Sequence, residues 1–279
     1  MADRNVNPVA KFFVYILMLV FTVLAIYPIL WLFLQSLKTT QEYVINSKLA
    51  LPSSFFINNY PFVWNMGGFA TLFTNSVIYT VITVVMVVIL ANMAGFAFGK
   101  IPFKITPFLH GLFIIGILLT VQSILIPIFL MVNAVGLFNT RLGILIPYIG
   151  LGLPMGIYLC TEFVKGIPGE LIESARIDGT GYIRTFIFII FPMCTPVSVT
   201  LAIITFTGTW NEFILMNVLT AGDRLKSIPA GVGRFAGALG SDFGRLFTAL
   251  VIALVPILVF YGIFRNQITK GVAAGAVKG

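Results

Sequence analysis

A chain of 279 residues that is 59% hydrophobic, only 9% charged and has a mean hydropathy of +1.04 lies outside the composition of soluble domains. Its net charge of +8 is scattered between apolar runs and forms no basic face with interleaved aromatics, which excludes a nucleic-acid-binding module. The expected class is an all-α integral membrane protein.

Residues 1–11 form a short polar tail carrying Arg4 and Lys11, expected on the cytoplasmic side. Phe12 to Leu37 has no charged residue and is long enough to span a bilayer as a helix. It exceeds a signal-peptide apolar region and shows no small-residue cleavage site before a soluble domain, so it reads as the first span. Lys38 to Phe69 holds turn signals, among them Pro52-Ser53-Ser54 and Asn58-Asn59-Tyr60-Pro61, and reads as a loop. The second span covers Ala70 to Phe98, followed by the short linker Lys100-Ile101-Pro102-Phe103-Lys104. The third covers Thr106 to Val132, with a kink expected at Pro127. The fourth covers Leu142 to Phe163.

Residues 168–181 then form a polar island between two apolar runs. Pro168 suits the first helical position, Glu170 and Glu173 suit the first turns, and Gly179 suits a left-handed terminating turn. Leu171, Ile172 and Ala175 fall on one side of the short helix so defined, with Glu170, Glu173 and Arg176 on the other. A helix of this length is unstable alone and needs a surface to dock on.

The fifth span runs from Tyr182 to Met216 and is interrupted by Pro192 and Pro196, so neighbouring helices must satisfy the freed carbonyls. Asn217 to Arg245 is a glycine-rich loop, Leu246 to Phe264 the sixth span, and residues 265–279 a second cytoplasmic tail. Six spans put both termini and the 165–184 loop on one side, and that side then holds ten of the 17 basic residues, which favours a cytoplasmic placement. No internal repeat supports an inverted-repeat transporter. Gly95 with Gly99, and Gly152 with Gly156, are spaced for close helix packing. Cys160 and Cys194 read as small buried hydrophobes, His110 as a packed imidazole, and no set of residues has metal-ligand spacing.

Glu173-Ser174-Ala175, Asp178-Gly179 and Ile190-Phe191-Pro192 together resemble the signature of ABC importer permeases, with Ser174 and Phe191 standing where alanine and leucine are usual. Further stretches resemble the carbohydrate branch, of the maltose permease type. These are Pro28-Ile29-Leu30-Trp31, Ser36-Leu37-Lys38-Thr39, Asn58-Asn59-Tyr60, Thr74-Asn75-Ser76, Trp210-Asn211-Glu212-Phe213 and the terminal Gly275-Ala276-Val277-Lys278-Gly279. The resemblance implies a type I importer transmembrane domain over residues 12–264. In it, residues 168–181 form a cytoplasmic coupling helix seated in a groove of an ATP-hydrolysing subunit. ATP and magnesium would then act on that partner, and this chain has no G-x-x-x-x-G-K-[ST] phosphate loop of its own. The implied assembly holds a second homologous permease, two copies of the ATP-binding subunit and an extracytoplasmic solute-binding protein, in a bacterial or archaeal inner membrane. Nucleic acid has no place in it, and lipid surrounds it.

The expected ATPase-coupling residues are Glu170, Leu171, Ile172, Glu173, Ser174, Ala175, Arg176, Asp178 and Gly179, with Lys278 and Gly279 approaching the ATPase. An ordinary interfacial helix is the alternative for the apolar stripe. Asn75, Gln122, Trp210, Asn211 and Glu212 are candidates for the substrate path, set against interhelical hydrogen bonding for the amides, an aromatic belt for Trp210 and headgroup water for Glu212. Two rival functions stand beside a sugar importer. One is an ABC permease for a polyol or sugar phosphate, for which outer arginines such as Arg141, Arg224 and Arg234 would bind charge. The other is an ion-coupled transporter, which would need mid-membrane carboxylates where this sequence has none.

Overall fold

The computed structural model describes residues 8–66, 68–233 and 242–276, and every regular element among them is helical. In chain order these are α1 (Pro8–Ser36), α2 (Thr40–Ile45), α3 (Asn59–Pro61), a π-helical turn (Phe62–Met66), α4 (Phe69–Lys100), α5 (Thr106–Ile117), α6 (Val121–Ala134), α7 (Arg141–Lys165) and α8 (Glu170–Ile177). There follow α9 (Tyr182–Thr185), a second π-helical turn (Phe186–Ile190), α10 (Phe191–Met193), α11 (Thr195–Asn211), α12 (Ile214–Leu219), α13 (Ile228–Val232) and α14 (Phe243–Ala276). Among the described residues four helices are long and apolar enough to cross a membrane, and six crossings result if each of two bent pairs counts as one. The chain divides into two compact units, residues 1–69 with 232–257 and residues 70–231 with 258–279.

The first unit is fastened around the end of α1. Asn59 Nδ2 donates to the carbonyls of Ser36 and Lys38 at 3.0 and 2.9 Å, and Thr248 Oγ1 donates to Ser36 O at 3.0 Å, which satisfies acceptors that the ending helix leaves open. Lys38 is fully buried and donates to Ala50 O at 2.6 Å. Trp31 and Tyr43 pack edge-on against Phe247, with ring centroids 5.5 and 5.0 Å away. The loop expected between the first two spans contains α2, capped by Thr39, whose side chain accepts from Glu42 N at 3.2 Å.

The second unit is organised by α4 and α7, which run parallel in one constant register. At one end Lys100 Nζ donates to Lys165 O at 3.2 Å, 65 positions on, and at the other Arg141 Nη2 donates to Asn75 Oδ1 at 3.4 Å, 66 positions back. Between these ends the helices touch through glycine. A Cβ at Gly95 would stand 2.6 Å from Cys160 Cβ, and one at Gly156 would stand 2.9 Å from Ala91 Cβ, so both glycine pairs read in the sequence serve a near-backbone contact. Ala91, Phe96, Cys160, Val164, Ile190 and Leu201 belong to the apolar core built on this contact.

This register decides what the bent pairs do. From Asn75 to Lys100 a helix rises about 37 Å, more than the hydrocarbon thickness. The chain leaves the far end of α4 and must regain the near end to start α7, so α5 and α6 together make one crossing despite a 108° bend between them. Likewise α9 to α11, bent by 75°, return the chain from the end of α7 to its start, where Asn139 N donates to Leu219 O at 3.0 Å.

The bend of the third crossing corrects the expected kink at Pro127. That proline lies inside α6, and the break falls at Leu118 to Thr120. Thr120 is the N-cap of α6, its hydroxyl accepting from Ser123 N at 3.4 Å. A capped helix start there ends α5, whereas Pro127 removes only one donor within a helix. In the fifth crossing the break falls at Cys194, between Pro192 and Pro196, each in the first turn of its own helix. That crossing stops at Asn211, short of Met216, because Glu212 adopts an extended backbone conformation. The last helix continues beyond Phe264 to Ala276.

Candidate functional site

The polar island folds into α8, which starts at Glu170, with Pro168 and Gly169 ahead of it. Gly169 O accepts from the backbone N–H groups of Ile172 and Glu173 at 2.9 and 3.1 Å, and Glu170 and Glu173 occupy the dipole-favoured first turn. The end is closed by a Schellman motif. Thr180 N donates to Ala175 O, and Gly179 N to Arg176 O, both at 3.0 Å, with Gly179 at φ +77°. Asp178 is the C-cap residue. Thr180 Oγ1 donates to Ala175 O at 2.6 Å and lies 3.1 Å from Thr185 Oγ1, which ties the turn to α9.

The helix is seated by one stripe. Ile172 and Ala175 are 8% and 5% exposed, and Ile172 joins the core of α4 and α7 beside Ile167, Val164 and Phe96. Leu171 stands at the edge of the stripe. Glu170, Glu173, Ser174 and Arg176 face outward, the Arg176 guanidinium 5.2 Å from the Tyr182 ring centre. Ile177 is 86% exposed on that outward face and was not singled out from sequence. Its only signal there was a branched apolar side chain between Arg176 and Asp178, four and seven positions after Glu173 and Glu170.

Lys100 is a second residue that sequence reasoning missed. Besides Lys165 O, its Nζ donates to Ile167 O at 2.5 Å, so the end of α4 grips the linker leading into α8. A lysine at a helix end signals dipole compensation, and its partner could not be read.

Asn75, Trp210, Asn211 and Glu212 lie toward the opposite end of the unit, and Gln122 sits in the first turn of α6 at the bend of the third crossing. Asn75 is buried, and its Nδ2 donates to the carbonyls of Arg224 and Lys226 at 2.9 and 3.1 Å. Tyr79 OH donates to Leu225 O at 3.0 Å and Ile228 N to Ser76 Oγ at 2.8 Å, so one face of α4 holds the whole 224–228 loop. Glu212 accepts from Tyr148 OH at 2.6 Å and from the N–H groups of Leu215 and Met216 at 2.7 and 3.1 Å, which caps α12. Trp210 is buried, stacked on Phe206 and edge-on to Phe73. Asn211 and Gln122 are exposed. Lys278 and Gly279 lie outside the described residues.

Two cavities are also present in this unit. An apolar one of about 500 Å³ lies in the crook of α5 and α6 against α7, lined by residues such as Ile128, Leu151 and Pro154. A polar one of about 350 Å³ is lined by Asn139, Thr140, Arg141, Arg224 and Leu225. Among the described residues no group of three or more histidine, cysteine or acidic side chains could hold a metal ion.

The profile of the family described as binding-protein-dependent transport system inner membrane component matches residues 91–273. A relative described as an ABC transporter permease, ORF2 of Caldicellulosiruptor sp. (strain Rt8B.4), is 36% identical over 95% of this chain and 96% of its own. The trehalose transport system permease protein SugB of Mycobacterium tuberculosis is 34% identical over 91% of this chain and 93% of its own. The same fold occurs in the crystal structure of a bacterial ABC transporter involved in import of the acidic polysaccharide alginate, with a TM-score of 0.82 and 21% identity, covering 95% of this chain and 98% of that one. The chain belongs to the inner membrane components of binding-protein-dependent transport systems. Its relatives are permease subunits of transporters rather than enzymes.

Proposed function

We propose that this chain is half of the translocation pathway of an ATP-driven carbohydrate importer. It works with a second homologous permease, two copies of an ATP-binding subunit that carry ATP and magnesium, and an extracytoplasmic solute-binding protein. The trehalose permease among its relatives supports a sugar as solute. Both termini and α8 lie on the cytoplasmic side in this reading, and the cavity lined by Arg141 and Arg224 on the outer side.

The observation that carries the proposal is the two-sided construction of α8. Its apolar stripe is seated in its own bundle through Ile172 and Ala175, while Glu170, Glu173, Ser174, Arg176 and Ile177 are left outward for a partner. An interfacial helix would instead turn its apolar stripe to lipid. Closure of two ATPase subunits would move the seated helix and rotate the bundle as a body, a transition between two states with different contacts. The exposed Gln122 and Asn211 are the amides available to a hydroxyl-rich solute. Asn75, Trp210 and Glu212 would act on the path through the loop, the aromatic stack and the helix that they hold.

The test is the complex reconstituted with its partner chains, comparing wild type with Gly179→Asp. A side chain at φ +77° opposes the closing turn. The variant is expected to reach the membrane but lose ATPase binding and uptake of a labelled sugar from a panel that includes polyols and sugar phosphates. Uptake without any ATPase chain would refute the importer reading, and preference for a polyol or a sugar phosphate would replace its substrate.

A further inference from the structure

We propose that the end of α2 and the loop after it, residues 45–57, form an interfacial anchor lying at the headgroup level of the leaflet opposite the N terminus. The anchor goes beyond the importer reading and does not depend on the solute carried.

The loop is built with its polar groups turned inward. Trp31 Nε1 donates to Lys48 O at 3.1 Å, and the fully buried Lys38 donates from Nζ to Ala50 O at 2.6 Å. Ser53 N donates to Glu42 Oε1 at 2.5 Å, and Phe56 N to Leu37 O at 2.8 Å. Four ties thus fix the segment to α2 and to the end of α1. Its large apolar side chains point the other way, with Ile45 80%, Leu49 72%, Leu51 71% and Phe55 70% exposed. A water-facing loop would show the reverse arrangement, and an exposed apolar set of this kind marks a surface met by a membrane or by another protein.

Depth selects the membrane. The spanning part of α1, Lys11–Ser36, is apolar and leaves none of its most hydrophobic stretch buried within the chain. With Lys11 at one edge of the hydrocarbon, Trp31 is 20 residues further on and stands about 30 Å away, at the other edge. The tie from Trp31 to Lys48 O holds the loop at that level, so its apolar side chains continue the exposed apolar surface of α1. Tyr60, whose hydroxyl lies 2.7 Å from Ser36 Oγ, joins Trp31 as an aromatic suited to the same depth. Charge agrees. Lys48 is the single charged residue between positions 43 and 57, it is exposed, and its sign favours anionic headgroups. The inward ties also give backbone carbonyls the partners that irregular chain needs beside hydrocarbon.

The test places an environment-sensitive fluorophore at Leu51→Cys or Phe55→Cys, in separate samples of the full complex reconstituted in phosphatidylcholine–phosphatidylglycerol vesicles. Cys160 and Cys194 are fully buried and stay unlabelled. Both labelled positions are exposed, so the four ties remain intact. Quenching is compared among iodide present on both sides of the membrane, phospholipid carrying a nitroxide near the ester, and phospholipid carrying it near the chain end. Both probes are expected to show blue-shifted emission and to be quenched several-fold more by the ester-level nitroxide than by iodide or by the chain-end nitroxide. Quenching by iodide without quenching by lipid places the loop in water and overturns the proposal. Quenching by none of the three also overturns it and assigns the patch to a covering protein chain.

Discussion

Gly179 and Glu212 are the two residues whose conformations set the ends of functional elements, and they do so by different physics. At Gly179 the constraint is steric. At φ +77° a Cβ destabilises the turn by about 1–2 kcal/mol even though nothing else is near it. At Glu212 the constraint is polar satisfaction. One carboxylate serves Tyr148 OH and two helix N–H groups, so Glu212→Ala strands three donors at once. The expected loss is about 2–3 kcal/mol, read as a lower midpoint of thermal unfolding of the purified complex, with Tyr148→Phe milder. If Glu212 served solute recognition instead, Glu212→Gln would raise the KM for sugar and leave that midpoint in place.

At the scale of elements, α8 connects to the bundle in two ways, through Ile172 in the core and through the Lys100 grip on the linker before it. The grip joins the end of α4 to the same segment that carries α8, so motion at α8 reaches α4 as well as α7. Lys100→Ala is expected to keep ATP hydrolysis while lowering sugar moved per ATP, a coupling change of about 0.5–2 kcal/mol, and Lys100→Arg to restore part of it. Equal falls in hydrolysis and transport would show that Lys100 only stabilises the bundle. The parallel contact of α4 and α7 makes such transmission credible physically. Glycine on each helix brings the backbones together, and closely packed helices move as a body.

For the whole molecule, the register of α4 and α7 commits the second unit to an alternation of sides, and the importer reading assigns those sides to cytoplasm and exterior. Site-directed thiol labelling tests this, because Cys160 and Cys194 are fully buried and leave a quiet background. Ser174→Cys, on the outward face of α8, is expected to react only with reagent admitted to the cytoplasmic side. Asn217→Cys, exposed on α12, is expected to react with impermeant reagent from outside. Both positions labelling from one side would refute the topology.

The sequence by itself determined the class, the apolar spans and the short amphipathic helix of the polar island. Long uncharged runs must be buried in lipid, and a short run of carboxylates closed by Asp178 and Gly179 can only be a helix with a left-handed end. Tertiary structure decided what these local signals could not carry. The bend of the third crossing went to Thr120 and not to Pro127, since a cap ends a helix where a lone proline need not. Asn75 and Glu212, legible only as polar groups in apolar runs, were committed to loop carbonyls and helix N–H groups about 150 and three or four positions away. The outward face of α8, with Ile177 on it, followed only once Ile172 and Ala175 were seated against α4 and α7. Periodicity fixes which residues share a side of a helix, but only the neighbouring helices fix which side is buried.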